Sequence, residues 1–157
     1  MQVDAAAFAM RKKDYVLQDS NRFNVNNGRS KHVGAELGLG LRSDAGFYGD
    51  LAATWARQTY DFSAAIAGGE TITKGNDIDT APRTLGSLRL GWAGDRTLAE
   101  AEWVHQGRYY LTAQENQDYP GHDLLNLRLA RDLTPAWTAT LRLNNATDER
   151  YADRADF

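Results

Sequence analysis

The chain has 157 residues, of which 42% are hydrophobic, with 18 basic and 21 acidic residues and no cysteine. The net charge of −3 argues against a nucleic-acid partner held through its phosphates, and the lack of cysteine excludes disulfide and thiolate chemistry. No run of about 18 apolar residues occurs, which excludes a transmembrane helix, whereas the alternating strands of a membrane barrel would escape this test. The opening M-Q-V-D lacks the basic and apolar regions of a signal peptide, so we expect none in the chain.

Alternation of apolar and polar residues predicts seven strands of membrane-spanning length. The clearest is 33–41, V-G-A-E-L-G-L-G-L, in which apolar residues occupy every odd position. Because a strand points successive side chains to opposite faces, this run has one apolar and one polar face. In chain order, the predicted strands are residues 2–10, 31–42, 47–60, 83–93, 97–111, 122–132 and 137–145.

Short and long connections alternate between these strands. Residues 43–46, 95–96 and 133–135 have turn chemistry, whereas 11–30, 61–82 and 112–121 are long polar loops. Outer-membrane barrels combine short periplasmic turns with long extracellular loops. We therefore predict an all-β fold, a segment of an antiparallel transmembrane β-barrel of about seven up-and-down strands. An odd number of strands leaves the sheet open, so we expect the closing strand to be missing.

Parity gives the register across the turn at 95–96. A two-residue turn pairs Gly94 with Thr97 and places Leu88 opposite Trp103 on the apolar face. On the polar face it places an arginine opposite a glutamate, an opposite-charge pair of the kind that supports a sheet. We expect the polar face to line the barrel lumen with Glu36, Asp50, Arg89, Glu102, Arg128 and Arg142.

Large aromatic residues lie at two levels of the predicted apolar face. Phe47, Trp92 and Trp137 each lie beside a different short turn. Trp55 follows Phe47 on the same face, and the intervening residues, at about 3.4 Å each and a tilt of about 45°, place it about 19 Å further along the barrel axis. This spacing predicts aromatic girdles at the two membrane interfaces.

Two other folds remain open, because apolar-inward and apolar-outward sheets look identical in sequence. A soluble antiparallel barrel or sandwich would bind a small ligand inside and bury Leu37, Leu88 and Leu127. A small self-contained outer-membrane barrel or porin would need an eighth strand, which residues 15–17 would supply. The alternating loop lengths and the aromatic levels favour the larger membrane barrel.

The histidines and the acidic loop give no clear metal site. His32, His105 and His122 match no metal-ligand spacing. Residues 76–80, N-D-I-D-T, place oxygen atoms at alternate positions, but they lack the glycine and distal glutamate of an EF-hand. We therefore expect no metal site and no cofactor, and we interpret residues 76–80 as a solvated acidic loop.

The sequence also gives no clear catalytic site. Glu100 and Glu102 share the polar face, but Arg89 and Arg128 nearby make salt bridges a better interpretation than the carboxylate pair of a hydrolase. No nucleophile–base arrangement or phosphate-binding loop occurs in the sequence. We expect that the protein is not an enzyme.

Four segments resemble TonB-dependent outer-membrane receptors. Residues 119–128, Y-P-G-H-D-L-L-N-L-R, resemble the family's Y-P-G-Y-x-L-L-N-L-R strand. Residues 141–151, L-R-L-N-N-A-T-D-E-R-Y, resemble its V-x-N-L-x-D-x-x-Y segment near the C-terminus. Residues 81–83, A-P-R, match a recurrent barrel feature, and residues 26–37 resemble the N-x-G…x-G-x-E-x strand entry.

The resemblance implies a barrel of about 22 strands with an N-terminal plug. It also implies that the protein lies in the bacterial outer membrane, surrounded by outer-membrane lipid, and that TonB contacts it only through the plug. The implied function is uptake of a scarce nutrient, for which a ferric siderophore is the favoured candidate. We expect neither a plug nor a TonB box within residues 1–157, and residues 154–157, R-A-D-F, do not resemble the family's last strand. We expect residues 1–157 to be about the last third of the barrel domain, without plug and closing strand.

Candidate ligand-binding residues lie in the loops and at the loop ends of strands. They are Arg22 and Phe23 in the first long loop, Tyr60 at the end of its strand, and Tyr109 and Tyr110 at the end of another. Arginine and aromatic side chains suit an anionic, aromatic metal chelate, which they would hold by charge-assisted hydrogen bonds and stacking.

Overall fold

The computed structural model describes residues 1–18, 24–65 and 69–152, which form strands and no helix. None of the described residues forms a helix that is long and apolar enough to cross a membrane. The strands are β1 (Gln2–Gln18), β2 (Asn24–Arg42), β3 (Phe47–Tyr60), β4 (Ala64–Ala65), β5 (Thr71–Ile72), β6 (Thr84–Ala93), β7 (Thr97–Gln106), β8 (Tyr109–Tyr110), β9 (Asp118–Tyr119), β10 (His122–Thr134) and β11 (Trp137–Leu143).

Seven of these strands form one antiparallel sheet in which sequence neighbours pair. The order is β1-β2-β3-β6-β7-β10-β11, so the predicted up-and-down sheet is confirmed. Strands β1 and β11 are its edges, and the barrel is not closed within the described residues. The short strands form two separate hairpins, β4 with β5 and β8 with β9, at the loop end of the sheet.

The prediction of a long loop at 11–30 is wrong for the described part of that segment. Strand β1 continues to Gln18 and β2 begins at Asn24, with Leu17 paired to Val25. Register shifts on both sides of Tyr15 break the alternation on which the prediction relied. Residues 15–17 lie in β1, so they supply no eighth strand for a self-contained barrel.

Smaller differences occur at two other long connections. The strand predicted at 97–111 ends at Gln106, and Tyr109–Tyr110 is a separate strand paired to Asp118–Tyr119. The loop predicted at 61–82 contains the β4–β5 hairpin. These hairpins make the loop end of the sheet more ordered than a polar composition suggests.

The predicted register of β6 and β7 is confirmed. Leu88 pairs with Trp103, and Arg89 pairs with Glu102. The Gly94 N–H donates to the Thr97 carbonyl at 2.9 Å, which closes the two-residue turn. The two pairs lie on opposite faces of the sheet, the leucine–tryptophan pair on the apolar face and the arginine–glutamate pair on the polar face.

The cluster of buried hydrophobic residues lies at the loop end of the sheet. Leu37 and Leu127 on the apolar face are each 39% exposed, whereas Ile72 in the loops is 1% exposed. The soluble alternative required the apolar face to be buried. In the structure these leucines are exposed, and the buried hydrophobic cluster lies at the loop end.

Candidate functional site

The long connection after β3 folds back onto the end of that strand. The Tyr60 N–H donates to the Asn76 carbonyl at 3.0 Å, and the Gly75 N–H donates to the Tyr60 carbonyl at 2.9 Å. The Ile78 N–H donates to the Gln58 carbonyl at 2.9 Å. These bonds hold residues 75–78 beside the strand end and give the loop a defined position.

An apolar cluster stabilises this arrangement. Tyr60, Phe62, Ile72 and Ala113 are buried together, and they come from the end of β3 and from two different loops. Leu17, Val25, Ala64 and Ile78 pack against the cluster. The β1–β2 hairpin and both long loops therefore share one core, which we call the loop core.

Asp77 connects the loop to the sheet through ion pairs. Its side chain is nearly buried, and its carboxylate accepts hydrogen bonds from Arg57 at 3.3 Å and from Arg83 at 2.6 Å. The Asp77 N–H donates to the Glu115 carboxylate at 2.7 Å, which links the two long loops. A buried carboxylate with two arginines and a fixed backbone is well satisfied.

Two further aspartates in the same loop have opposite electrostatic environments. Lys31 and Lys74 each lie 3.1 Å from the Asp61 carboxylate, and their hydrogen bonds lower its pKa. Burial raises the pKa of Asp79, although the Tyr60 hydroxyl donates a hydrogen bond to it. The loop therefore contains one carboxyl group with a lowered pKa and one with a raised pKa.

A pocket of about 280 Å³ opens beside Asp77. Arg108 lies in its wall, where it pairs with Asp118 at 2.9 Å and packs its guanidinium 5.0 Å from the centre of the Tyr110 ring. Arg83 pairs with Asp77 and Arg108 pairs with Asp118, so guanidinium groups that are already in ion pairs lie beside two tyrosines in the lining. We call this the loop pocket; it is lined by Asp77, Ala81, Arg83, Thr84, Arg108, Tyr109 and Tyr110.

The structure brings together part of the predicted ligand-binding set. Tyr109 and Tyr110 line the loop pocket. Tyr60 is 4% exposed and belongs to the loop core. Arg22 and Phe23 lie outside the described residues.

The arginines of the loop pocket were missed as ligand-binding candidates by sequence reasoning. Sequence reasoning identifies Arg83 only as part of A-P-R, and it gives no role to Arg108, which lies near the end of the predicted strand 97–111. The Gly107–Arg108 break before a paired tyrosine was the available signal. Asp77 was noted only as part of an acidic loop.

The histidines have partners within the fold. His32 lies between Ser30 at 2.8 Å and Gln58 at 2.9 Å, and His105 lies 2.9 Å from Asp123. No group of three or more potential metal ligands occurs among residues 1–18, 24–65 and 69–152. In the 76–80 segment, the two aspartates contact arginine and tyrosine side chains.

The polar face of the sheet carries a charge network across neighbouring strands. Arg42 pairs with Asp50 at 2.9 Å, Arg89 pairs with Glu102 at 2.7 Å, and Asp50 is the cross-strand neighbour of Arg89. The Tyr48 hydroxyl on the same face donates to Glu100 at 2.6 Å. The other residues predicted to face the lumen lie on this same face of the sheet; they are Glu36, Arg128 and Arg142. Arg128 and Arg142 are direct cross-strand partners.

The four aromatic residues predicted as girdles are exposed on the apolar face. Phe47 and Trp92 are direct cross-strand neighbours at the end with short turns. The Trp92 indole N–H donates to the Ala45 carbonyl at 3.0 Å, which fixes the ring against the turn. Trp137 lies beside another turn, and Trp55 lies towards the loop end.

The fold and the two-faced sheet define a class, the antiparallel outer-membrane-type barrel. Residues 1–146 match the family model described as TonB dependent receptor-like, beta-barrel. The chain therefore belongs to the TonB-dependent receptor-like β-barrel family. No curated protein sequence matches it.

Three solved receptor structures have a similar fold. The siderophore receptor PiuA from Acinetobacter baumannii is similar with a TM-score of 0.78 at 19% identity, over 95% of this chain and 22% of the receptor. The ferric yersiniabactin uptake receptor FyuA from Yersinia pestis is similar with a TM-score of 0.77 at 18% identity, over 94% of this chain and 22% of the receptor. The ferric-catecholate import receptor Fiu from Escherichia coli K12 is similar with a TM-score of 0.73 at 14% identity, over 95% of this chain and 21% of the receptor. The chain thus spans about a fifth of the length of these receptors.

Proposed function

We propose that residues 1–157 form part of the barrel of an outer-membrane receptor that takes up a ferric siderophore in a TonB-dependent manner. The observation that carries this proposal is the family match over residues 1–146. The three similar structures are a siderophore receptor, a ferric yersiniabactin uptake receptor and a ferric-catecholate import receptor, which supports iron chelates as the substrate class. The role is transport and recognition, and not catalysis.

The two faces of the sheet support a location in the outer membrane. The apolar face exposes leucine and tryptophan side chains, which suits contact with lipid. The polar face carries the paired charges around Arg89, which suits a lumen filled by water and a plug. Under this proposal, TonB acts only through a plug domain.

The loop pocket supports recognition of an anionic chelate. Arg83 and Arg108 provide positive charge, and Tyr109 and Tyr110 provide aromatic surface in the same wall. A catecholate or phenolate complex of iron has both complementary features, negative charge and aromatic rings. A cationic hydroxamate complex has neither.

The experiment compares these two ligand classes on the gene product at its natural length, purified from an outer membrane. Binding of a ferric catecholate and of a cationic ferric hydroxamate is followed by quenching of tryptophan fluorescence. Arg108→Gln is the test variant because its guanidinium packs on Tyr110. We expect about a tenfold or greater loss of catecholate affinity, the cost of one charge-assisted hydrogen bond.

Arg96→Gln is the matched control, because Arg96 lies at the opposite end of the sheet and donates to the Leu133 carbonyl. Its catecholate affinity should equal that of the parent. Equal affinity of Arg108→Gln and parent, or preference of the parent for the hydroxamate, would contradict the proposed role of the loop pocket.

A further inference from the structure

Three polar side chains form a hydrogen-bonded chain across the apolar face at its loop end. His105 on β7 pairs directly with Asp123 on β10, and Thr84 on β6 lies on the same face as Leu88. The His105 Nδ1 lies 2.9 Å from the Asp123 carboxylate, and its Nε2 lies 3.0 Å from the Thr84 hydroxyl. One imidazole therefore links three adjacent strands, and we call Asp123, His105 and Thr84 the imidazole chain.

The carboxylate decides which ring nitrogen of His105 carries a proton. An ionised aspartate only accepts hydrogen bonds, so Nδ1 is the donor to Asp123 whether the ring is neutral or charged. In the neutral ring Nε2 is an acceptor, and the Thr84 hydroxyl donates its single proton to it. In the charged ring Nε2 is a donor and the Thr84 oxygen accepts, which frees the hydroxyl proton for another partner.

Thr84 is also part of the wall of the loop pocket. It lines the pocket beside Arg83 and Arg108, and its carbonyl accepts a hydrogen bond from the Gly107 N–H at 2.8 Å. A Cβ on Gly107 would overlap the Thr84 hydroxyl, so this hydroxyl lies directly against the backbone that leads into Arg108. The imidazole chain therefore ends at a residue of the pocket.

His105 is accessible to protons from solution. Its side chain is 29% exposed, and the Trp103 ring stacks on it with 5.5 Å between ring centres. Histidine is the side chain that changes charge between about pH 5 and 8. The charged groups on the neighbouring elements are in ion pairs; they are Asp123 with His105 itself, Arg83 with Asp77, and Arg108 with Asp118.

We propose that the imidazole chain is a proton-operated switch of the loop pocket. When His105 takes up a proton from water, the Thr84 hydroxyl becomes a hydrogen-bond donor to an anionic ligand. When His105 loses that proton, the hydroxyl turns back to Nε2 and presents only its lone pairs. The pocket thus binds an anionic chelate more tightly at acidic than at neutral pH. The inference rests on the proposed function and adds to it His105 as a positioning residue.

The test compares affinities at pH 6 and pH 8, between which histidine changes from mostly charged to mostly neutral. Equilibrium dialysis measures binding of a ferric catecholate with radioactive iron to the gene product at its natural length, in detergent. Each affinity is divided by that of His105→Gln at the same pH, so the titration of the chelate itself cancels. A hydrogen bond to a charged acceptor changes affinity about tenfold, so this ratio for the parent should be about fivefold higher at pH 6 than at pH 8.

Thr84→Val separates the switch from a simple charge effect. Valine has the shape of threonine without the hydroxyl, so its ratio should be equal at both pH values, whereas Thr84→Ser should keep the fivefold change. His32→Gln is the matched control, because His32 is held by Ser30 and Gln58 on other strands of the sheet, and it should behave as the parent. If Thr84→Val keeps the fivefold change, the charge of His105 acts through space and the switch is overturned.

The switch and the proposed function fail in different ways. A parent that binds the ferric catecholate with the same ratio at both pH values overturns the switch alone. A parent that binds no ferric catecholate at either pH overturns the proposed function, and the switch with it. Resistance to heat in detergent checks that each variant remains folded.

Discussion

Asp77→Asn tests whether the loop is held to the sheet by its ion pairs. The substitution preserves shape but removes the charge that Arg57 and Arg83 share at 3.3 and 2.5 Å. Asp77 is 6% exposed, whereas both arginine side chains are about half exposed. Breaking a fully buried pair costs about 3–5 kcal/mol, and solvent screening of the arginines lowers this to about 2 kcal/mol.

Because the loop is held locally, the loss should appear as local opening. The amides that report it are those of Tyr60, Gly75 and Ile78, whose hydrogen bonds join the loop to β3. A cost of about 2 kcal/mol corresponds to about 30-fold faster hydrogen exchange at these amides. Mass spectrometry with peptides that cover 58–61 and 74–79 measures the change in detergent.

The matched control is Asp44→Asn, which neutralises an exposed aspartate in the short turn at the opposite end. It should leave exchange in the loop unchanged. If Asp77→Asn leaves hydrogen-exchange protection of the loop amides unchanged, the ion pairs do not hold the loop. If β6 and β7 lose as much protection as the loop, the effect is not local, and local anchoring is also refuted.

Two further predictions concern the polar face and the loop. In Gly91→Ala the new Cβ would overlap the Tyr48 ring and disrupt the hydrogen bond of its hydroxyl to Glu100. Urea unfolding in micelles should show that the free energy of unfolding is about 1–3 kcal/mol lower. An unchanged unfolding midpoint would contradict this prediction. Folding raises the pKa of Asp79. Its contribution to stability is therefore fully present when the pH lies below the pKa of an unfolded aspartate, and it is lost as the pH rises through the pKa of Asp79 in the folded protein. Loop exchange corrected for its intrinsic rate should increase with that rise, and Asp79→Asn should abolish the pH dependence.

The sheet was predictable where local signals agreed. The two-residue turn at 95–96, the apolar parity and the Arg89–Glu102 pair all specify one register, and the structure has it. A slip by one residue would move every side chain to the other face, so few alternatives compete. The family is indicated by a different signal, the resemblance of residues 119–128 and 141–151 to its motifs.

The first hairpin and the loop core were not predictable in this way. Asp14 and Asn27 adopt positive φ values of 55° and 58°, and the register shifts beside Tyr15 break the period on which a strand prediction depends. The loop core joins residues from distant segments without a shared period. Its partners, such as Tyr60 and Ala113, are neighbours only in three dimensions.

The loop pocket shows the same limit. Arg83 ends the connection before β6, and Arg108 lies in the connection after β7. No spacing in the sequence relates the two residues. Only the folding back of both long loops places them in the wall that contains Tyr110. Residue types alone indicated arginine and tyrosine as binding groups, but the tertiary structure decides which of them meet.

The central claim is that the leucine- and tryptophan-rich face contacts lipid. The most direct measurement is fluorescence quenching of single-tryptophan variants in bilayers that contain lipids brominated at known depths. Trp92 lies beside a short turn, and its cross-strand partner is Ala99. Trp103 lies four residues beyond Ala99, away from that turn. In a tilted strand, four residues correspond to about 10 Å along the barrel axis. We predict strongest quenching of Trp92 by bromines near the headgroups and of Trp103 by bromines deep in the bilayer. Absence of quenching at both positions in a folded protein would contradict the account.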